Sequence, residues 1–139
     1  MEDARAVAIG AGAPDVQPIH LLHSILKGVE VARLLASFVD VLELRTAVAQ
    51  AVSVRGRDAP RPAPPYSSSC MRVIVHALKE ASALGDPAVE GRHVLLGLLR
   101  MRPSRRLFGL LAPSRNPAYE LLNSRGLSYE TVRGSARAA

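Results

Sequence analysis

The sequence contains a single cysteine, few aromatic residues and little lysine. Because Cys70 is the only cysteine among 139 residues, the chain has no internal disulfide framework, and its composition fits a reducing cytoplasm. One cysteine and four histidines in no paired spacing also give no recognisable zinc motif. We therefore expect neither a structural metal nor a cofactor.

Long hydrophobic runs and a basic leader are absent as well. No apolar stretch approaches the roughly 18–20 residues that a membrane-spanning helix needs. Residues 1–10 contain acids where a secretory signal peptide has a basic n-region. A hydrophobic fraction of 48% with 22% charged residues nevertheless suffices to bury a core. We expect a single cytoplasmic domain over residues 1–139.

The basic charge lies in the second half of the chain. Residues 1–58 hold six basic and seven acidic residues, whereas residues 59–139 hold twelve basic and five acidic ones. A basic half is typical of proteins that bind nucleic acid. With two phenylalanines, three tyrosines and no tryptophan, however, the chain has few rings on which bases stack. Binding of nucleic acid or another polyanion is therefore the alternative function.

Apolar residues recur at helical spacing on both sides of a proline-rich segment. Residues 54–66 contain four prolines, and because proline clashes with the preceding helical turn, they predict an extended linker. Before this linker, Leu22, Ile25 and Leu26 share one helix face. After it comes a longer stripe at helical spacing, formed by Val73, Ile74, Ala77, Leu78, Ala81 and Leu84. No alternating run indicates a strand, so we predict an all-α fold of about eight helices.

One motif occurs twice, beginning at Gly12 and at Gly85. It is G-x-P-x-V-x-x-x-H-[LV]-L-x-x-[IL]-L, and an offset of 73 residues pairs His20 with His93. The segments that follow align only at a larger offset, so the second copy carries an insert. We predict two pseudo-symmetric four-helix repeats: repeat one over 1–53, a linker over 54–66, and repeat two over 67–139 with an insert at about 101–117.

The motif residues have structural explanations. Gly12 and Gly85 follow a helix and are expected to close it in the left-handed conformation. His20 and His93 lie in the first turn of the next helix, where we expect them to pack and to hydrogen-bond to the backbone. No Ser-His-Asp or Cys-His set is recognisable, so we predict no catalytic residue.

Cys70 has two interpretations. Cys70 lies in a predicted helix, where we expect it to serve as a small buried residue. A hydrolase that uses Cys70 with His76 is the competing interpretation, although residues six apart on a helix point in different directions.

Residues 66–100 resemble the amino-terminal repeat of the Clp (Hsp100) ATPases, especially of the ClpC type. The segment His93-Val94-Leu95-Leu96-Gly97-Leu98-Leu99 is similar to the family's H-[IL]-L-L-G-L-L helix, and Leu121–Leu127 is similar to its closing helices. No G-x-x-x-x-G-K-[ST] loop occurs, so the chain has no ATPase module. The resemblance implies a stand-alone, non-enzymatic N-domain of the Clp protease system. Such a domain would bind peptides or proteins in a groove between the repeats, as an adaptor, a substrate decoy or a sequestering protein for peptide antibiotics.

The resemblance also implies a binding surface near the start of repeat two. Tyr66 matches the aromatic residue that opens the second copy, close to a surface that resembles the peptide-binding patch of actinobacterial ClpC, which accepts cyclic peptides. Tyr66 either lines this patch or staples the helix start, and Met71 lies about one turn further on. Ile19 and Arg92 stand where some relatives have glutamates linked to phosphoarginine. Since a guanidinium needs carboxylate partners, we do not expect this site to bind phosphoarginine.

The predicted insert is rich in arginine. With Arg100, the residues Arg102, Arg105 and Arg106 form either a solvated loop, a docking site for an acidic protein or a polyanion site. The apolar residues 107–111 beside them form either an extra helix over the core or a docking patch. The candidate partner-binding residues are therefore Tyr66, Met71, Arg92, Arg102, Arg105 and Arg106.

Overall fold

A computed structural model describes residues 1–53, 63–102 and 116–138 of the chain. The helices in these ranges are α1 Glu2–Gly10, α2 Pro18–Ile25, α3 Val29–Ala36, α4 Val41–Ser53, α5 Ser68–Leu84, α6 Gly91–Arg100, α7 Pro117–Ser124 and α8 Tyr129–Ala138. The prediction of an all-α fold with about eight helices is confirmed. Residues 54–62 of the predicted linker and residues 103–115 of the predicted insert lie outside the described ranges, and Arg105 and Arg106 lie there with them.

The helices form two sets of four, α1–α4 and α5–α8. In each set a glycine with positive φ follows the first helix, at 65° for Gly12 and 75° for Gly85. Glycine adopts this left-handed conformation without the steric cost of a Cβ. A capping box then begins the second helix of each set, at Gln17 before α2 and at Glu90 before α6.

The two motif histidines complete these capping boxes. The backbone N–H groups of Gln17 and Glu90 donate to Nδ1 of His20 and His93, each at 2.9 Å. Because Nδ1 accepts, the neutral ring carries its proton on Nε2. In His93, Nε2 lies 2.8 Å from Oδ2 of Asp86 and donates to it. Both rings are buried, so their geometry gives them a structural role at the helix starts.

One hydrophobic cluster contains residues from all eight helices. At its centre α6 buries four leucines, Leu95, Leu96, Leu98 and Leu99, and it contacts both α2 and α5. Gly97 permits the close approach of α6 to α5, because a Cβ there would lie 2.6 Å from the Val73 carbonyl oxygen. The repeats therefore share one core, and α2 and α6 each contact helices of the opposite repeat.

Candidate functional site

An apolar groove lies where the two repeats meet. We call it the inter-repeat groove; its volume is about 360 Å³. It is lined by Met1, by Leu21, Ser24 and Ile25 of α2, by Ile74, Ala77 and Leu78 of α5, and by Val89, Glu90, Gly91 and Val94 around the start of α6. The lining includes one ionisable side chain, that of Glu90. The groove can therefore take up apolar side chains, and the polar side chains of its lining are those of Ser24 and Glu90.

Exposed apolar side chains continue the groove along α5. Met71, Val75 and Leu78 are 48%, 46% and 54% exposed, and their spacing of four and three residues places them on one helix face. We call these three residues the apolar stripe. Leu78 belongs to the predicted stripe but is exposed, whereas Val73 and Ala77 of the same stripe are buried. Contiguous exposed apolar side chains mark interaction surfaces in soluble proteins.

Tyr66 lies half-buried at the start of α5. Its hydroxyl donates to the carbonyl oxygen of Met1 at 3.1 Å, and the Arg5 guanidinium lies 5.0 Å from its ring centre. The backbone around it pairs with Val16, which donates to the Pro65 carbonyl at 2.8 Å. Since Met1 lines the inter-repeat groove, Tyr66 positions one of its walls. Direct contact between Tyr66 and a peptide stays a prediction.

Arg92 sits among three carboxylates. Its guanidinium lies 3.0 Å from Asp86, 3.2 Å from Glu90 and 3.5 Å from Glu30 of repeat one. The side chain is only 18% exposed, and it does not line the inter-repeat groove. Arg92 thus joins the two repeats, while a direct role in partner binding stays a prediction. Ile19, at the corresponding position of repeat one, is buried in the core.

The predicted site residues do not converge on one place. Tyr66 and Met71 lie at the start of α5, whereas Arg92 lies in the first turn of α6 and Arg102 lies two residues beyond the other end of that helix. The Arg102 side chain is 70% exposed and reaches Glu130 of α8 at 3.9 Å. The structure therefore places Met71 on one face of α5 with Val75 and Leu78, of which Leu78 lines the groove, and it leaves Arg102 elsewhere.

A second line of side chains on α5 was missed in the sequence. Arg72, His76 and Lys79 follow the same spacing as the apolar stripe, one position further along the chain. Arg72 and Lys79 are exposed, and His76 is half-buried. Burial lowers the pKa of His76, and the nearby cations Arg100 and Lys79 lower it further, although Glu80 opposes them. The i, i+4, i+7 spacing of these residues was the signal available in the sequence.

Glu80 is a buried carboxylate at the junction of α5, α6 and α8. It accepts hydrogen bonds from the Tyr129 hydroxyl at 2.5 Å and from Arg133 Nε at 3.1 Å, and Arg100 lies 3.2 Å away. Burial raises the pKa of Glu80, but these hydrogen bonds and the positive charges of Arg100 and Arg133 outweigh burial and hold the pKa below its ordinary value. The carboxylate is therefore ionised at neutral pH and fixes the closing helix on the core.

Cys70 is fully buried in the core beneath the start of α5. Burial, with a smaller contribution from Asp15, raises the pKa of the thiol to about 12. Since the thiolate is the nucleophile, the buried and protonated Cys70 gives no support to a hydrolase that uses Cys70 with His76.

Within residues 1–53, 63–102 and 116–138, no group of three or more His, Cys, Asp or Glu side chains is placed to hold a metal ion. No helix in these ranges is long and apolar enough to cross a membrane.

Comparison with known sequences finds one family. A sequence model of the Clp repeat (R) N-terminal domain matches residues 1–107. Chaperone protein ClpB of Corynebacterium diphtheriae is 28% identical over 141 residues, and that of Corynebacterium glutamicum is 28% identical over 149 residues. These matches cover 96% and 99% of this chain but 15% and 16% of the relatives. The chain thus spans about a sixth of the length of these curated relatives.

Solved structures share the fold. The N-terminal domain of Hsp104 from Candida albicans matches with a TM-score of 0.75 and 17% identity, over 97% of this chain and 82% of that one. A chain from a structural study of a malarial protein secretion system matches with a TM-score of 0.76 and 19% identity, over 96% and 84%. At these identities the likeness concerns the fold alone.

Proposed function

We propose that this chain, which belongs to the Clp repeat (R) N-terminal domain family, binds apolar segments of other proteins in the inter-repeat groove. The predicted family is confirmed by the match over residues 1–107. The curated relatives named above are ClpB chaperones, so the predicted ClpC type and the stand-alone status stay predictions. Location in the cytoplasm also stays a prediction.

One observation supports the proposal most strongly: the groove continues into the apolar stripe. Full burial of a valine, leucine or methionine side chain contributes about 1.5–3 kcal/mol. Met71, Val75 and Leu78 are each about half exposed, so covering all three gains a few kcal/mol. Association itself costs several kcal/mol in lost freedom of motion. We therefore expect weak binding of short segments, with a Kd in the micromolar range or above.

The size of the groove agrees with an extended segment or one helix face as its ligand. A cavity of about 360 Å³ lies at the lower end of the range for small-molecule sites. It admits a few side chains and not a folded domain. The three predicted roles, adaptor, substrate decoy and sequestration of peptide antibiotics, all need this binding step and stay predictions, as does a Clp ATPase as the partner.

The polyanion alternative is less well supported by the described residues. Many arginines of the basic half already pair with carboxylates of the same chain, namely Arg92, Arg100, Arg102, Arg125 and Arg133. A nucleic-acid surface needs cations available to phosphates. The net charge therefore overstates the number of available cations.

A matched pair of leucine substitutions tests groove binding. Leu78→Gln removes apolar surface at the groove, and Leu42→Gln removes a leucine on α4 that is even more exposed, 73% against 54%. In fluorescence anisotropy titrations with an apolar, unstructured peptide, Leu78→Gln is expected to weaken binding about fivefold, and Leu42→Gln is expected to leave it unchanged. Equal affinities for wild type and both variants would contradict the proposal.

A further inference from the structure

We infer that the inter-repeat groove selects apolar segments that carry carboxylates along one side, because Arg72 and Lys79 border the apolar stripe of α5. This inference rests on the proposed function and adds the chemistry of the partner to it. The partner segment is acidic and apolar: its apolar side chains enter the groove, and its carboxylates reach across the apolar stripe to the two cations.

The helix geometry places the cations beside the stripe. Arg72 precedes Val75 by three residues and Lys79 follows it by four, so both are neighbours of Val75 on the helix surface. Side chains at these spacings have Cβ atoms about 5–6 Å apart. Seen around the helix axis, Leu78 lies on the groove side of the apolar stripe, Val75 lies at its crest, and Arg72 and Lys79 lie on the far side of Val75. One bound segment can therefore contact both the apolar groove and the two cations.

These cations have no counter-charge in the described part of the chain. Neither Arg72 nor Lys79 forms a salt bridge there. The only acidic residue of α5 is Glu80, and its carboxylate is buried and bonded to Tyr129 and Arg133. The outer face of α5 therefore carries positive charge at Arg72 and Lys79 without a carboxylate beside it. Arg92, by contrast, has its charge compensated by three carboxylates.

The groove also sets the orientation of the ligand charges. Glu90 lines the groove, and its carboxylate lies 3.2 Å from Arg92. A carboxylate of the ligand placed near Glu90 would meet a like charge, whereas one placed beyond Val75 meets Arg72 and Lys79. Complementary charges of this kind set specificity and association rate more than total affinity. Two exposed ion pairs are expected to strengthen binding about threefold to tenfold at low salt.

The test uses two synthetic peptides with the same apolar residues, one with glutamates and one with glutamines at the remaining positions. Binding to the full chain is measured by fluorescence anisotropy at about 0.05 M and about 0.5 M salt. Wild type is expected to bind the glutamate peptide about threefold to tenfold more tightly at low salt, with most of this preference lost at high salt. In the double variant Arg72→Gln/Lys79→Gln, the two peptides are expected to bind equally.

A second double variant controls for net charge. Lys27→Gln/Arg33→Gln also removes one lysine and one arginine that form no salt bridge among the described residues, but it does so on repeat one. This variant is expected to keep the preference for the glutamate peptide. Equal binding of both peptides by wild type would overturn the inference and leave groove binding intact, whereas binding of neither would overturn the proposed function. Loss of the preference for the glutamate peptide in Lys27→Gln/Arg33→Gln would also overturn the inference. So would single-stranded DNA that binds wild type more tightly than the glutamate peptide does and displaces it.

Discussion

The first helices of the two repeats agree on their inner faces and differ on their outer faces. At the motif offset of 73 residues, Ala4 and Ala8 of α1 correspond to Ala77 and Ala81 of α5, and all four are buried. The same small residues therefore face the core in both repeats. The two helices themselves differ in length: α1 has nine residues and α5 has seventeen.

The outer faces carry different chemistry at equivalent positions. Arg5 of α1 corresponds to Leu78 of α5. The Arg5 guanidinium lies over the ring of Tyr66, whereas the Leu78 side chain is 54% exposed beside the groove. The comparison teaches that the shared fold depends on the inner faces, while the outer face of α5 gives repeat two its share of the proposed binding surface.

The largest predicted effect concerns a buried charge that repeat one lacks at the equivalent position. Glu80 of α5 corresponds to Val7 of α1, and Glu80 is bonded to Tyr129 and Arg133. Glu80→Gln leaves these partners without their carboxylate and is expected to lower the free energy of unfolding by about 2–4 kcal/mol. Urea unfolding measures this difference.

An exposed carboxylate and the pH dependence provide the controls. Glu130→Gln, at a side chain 71% exposed, is expected to change the free energy of unfolding by less than about 0.5 kcal/mol. Because the pKa of Glu80 is lowered on folding, its contribution is complete above its ordinary pKa of 4.5 and is lost as the pH falls through the lower folded value. If the loss of unfolding free energy in Glu80→Gln relative to wild type does not become smaller below pH 4.5, the assignment of Glu80 as a stabilising ionised carboxylate is contradicted.

A smaller effect is predicted at the close contact between α6 and α5. Gly97 corresponds to Ser24 of repeat one, so the two helix pairs are not packed alike. Gly97→Ala would place a Cβ 2.6 Å from a backbone oxygen, and we expect it to cost about 1–3 kcal/mol in thermal or urea unfolding. Gly134→Ala on α8, where nothing lies within 4 Å, is expected to stabilise by up to about 1 kcal/mol. Equal changes in unfolding free energy for the two substitutions would show that α6 and α5 pack less closely at Gly97 than described.

The smallest effect is predicted at the contact between Tyr66 and α1 of repeat one. Tyr66→Phe keeps the ring beneath Arg5 but removes the hydrogen bond to the Met1 carbonyl. The hydroxyl is partly exposed, so we expect a loss of about 0.5–1 kcal/mol in urea unfolding. Peptide affinity is expected to fall less than twofold if Tyr66 only positions Met1. A tenfold loss of affinity would instead make the Tyr66 hydroxyl a direct contact.

The helices and their order were predictable because they depend on local patterns. Apolar periodicity predicted the all-α fold, and the twice-occurring motif placed glycines of positive φ at Gly12 and Gly85. The surface was harder to predict. The apolar spacing of α5 predicts one stripe of six residues, but periodicity does not tell a core-facing side from a partner-facing side. Leu78 belongs to this stripe and is nevertheless exposed.

The charged contacts were not predictable, because they join residues distant in sequence. Arg92 stood out as a cation at a position where relatives have a carboxylate. Its partner Glu30 comes from the other repeat, 62 positions earlier in the sequence. Glu80 has no signal in the sequence that marks it as buried, since its partners Tyr129 and Arg133 are about fifty residues away. Only the packed structure brings such groups together.

The most direct test of the central claim is an amide NMR titration of the full chain with the apolar acidic peptide. If the inter-repeat groove binds it, the largest chemical-shift changes will lie at Ile25, Ile74, Leu78 and Val89, with the amides of Arg72 and Lys79 also affected. Amides around Leu42 on α4 will stay unchanged. Shift changes confined to Arg102, or to the pocket lined by Val29 and Leu34, would place binding elsewhere and contradict the account.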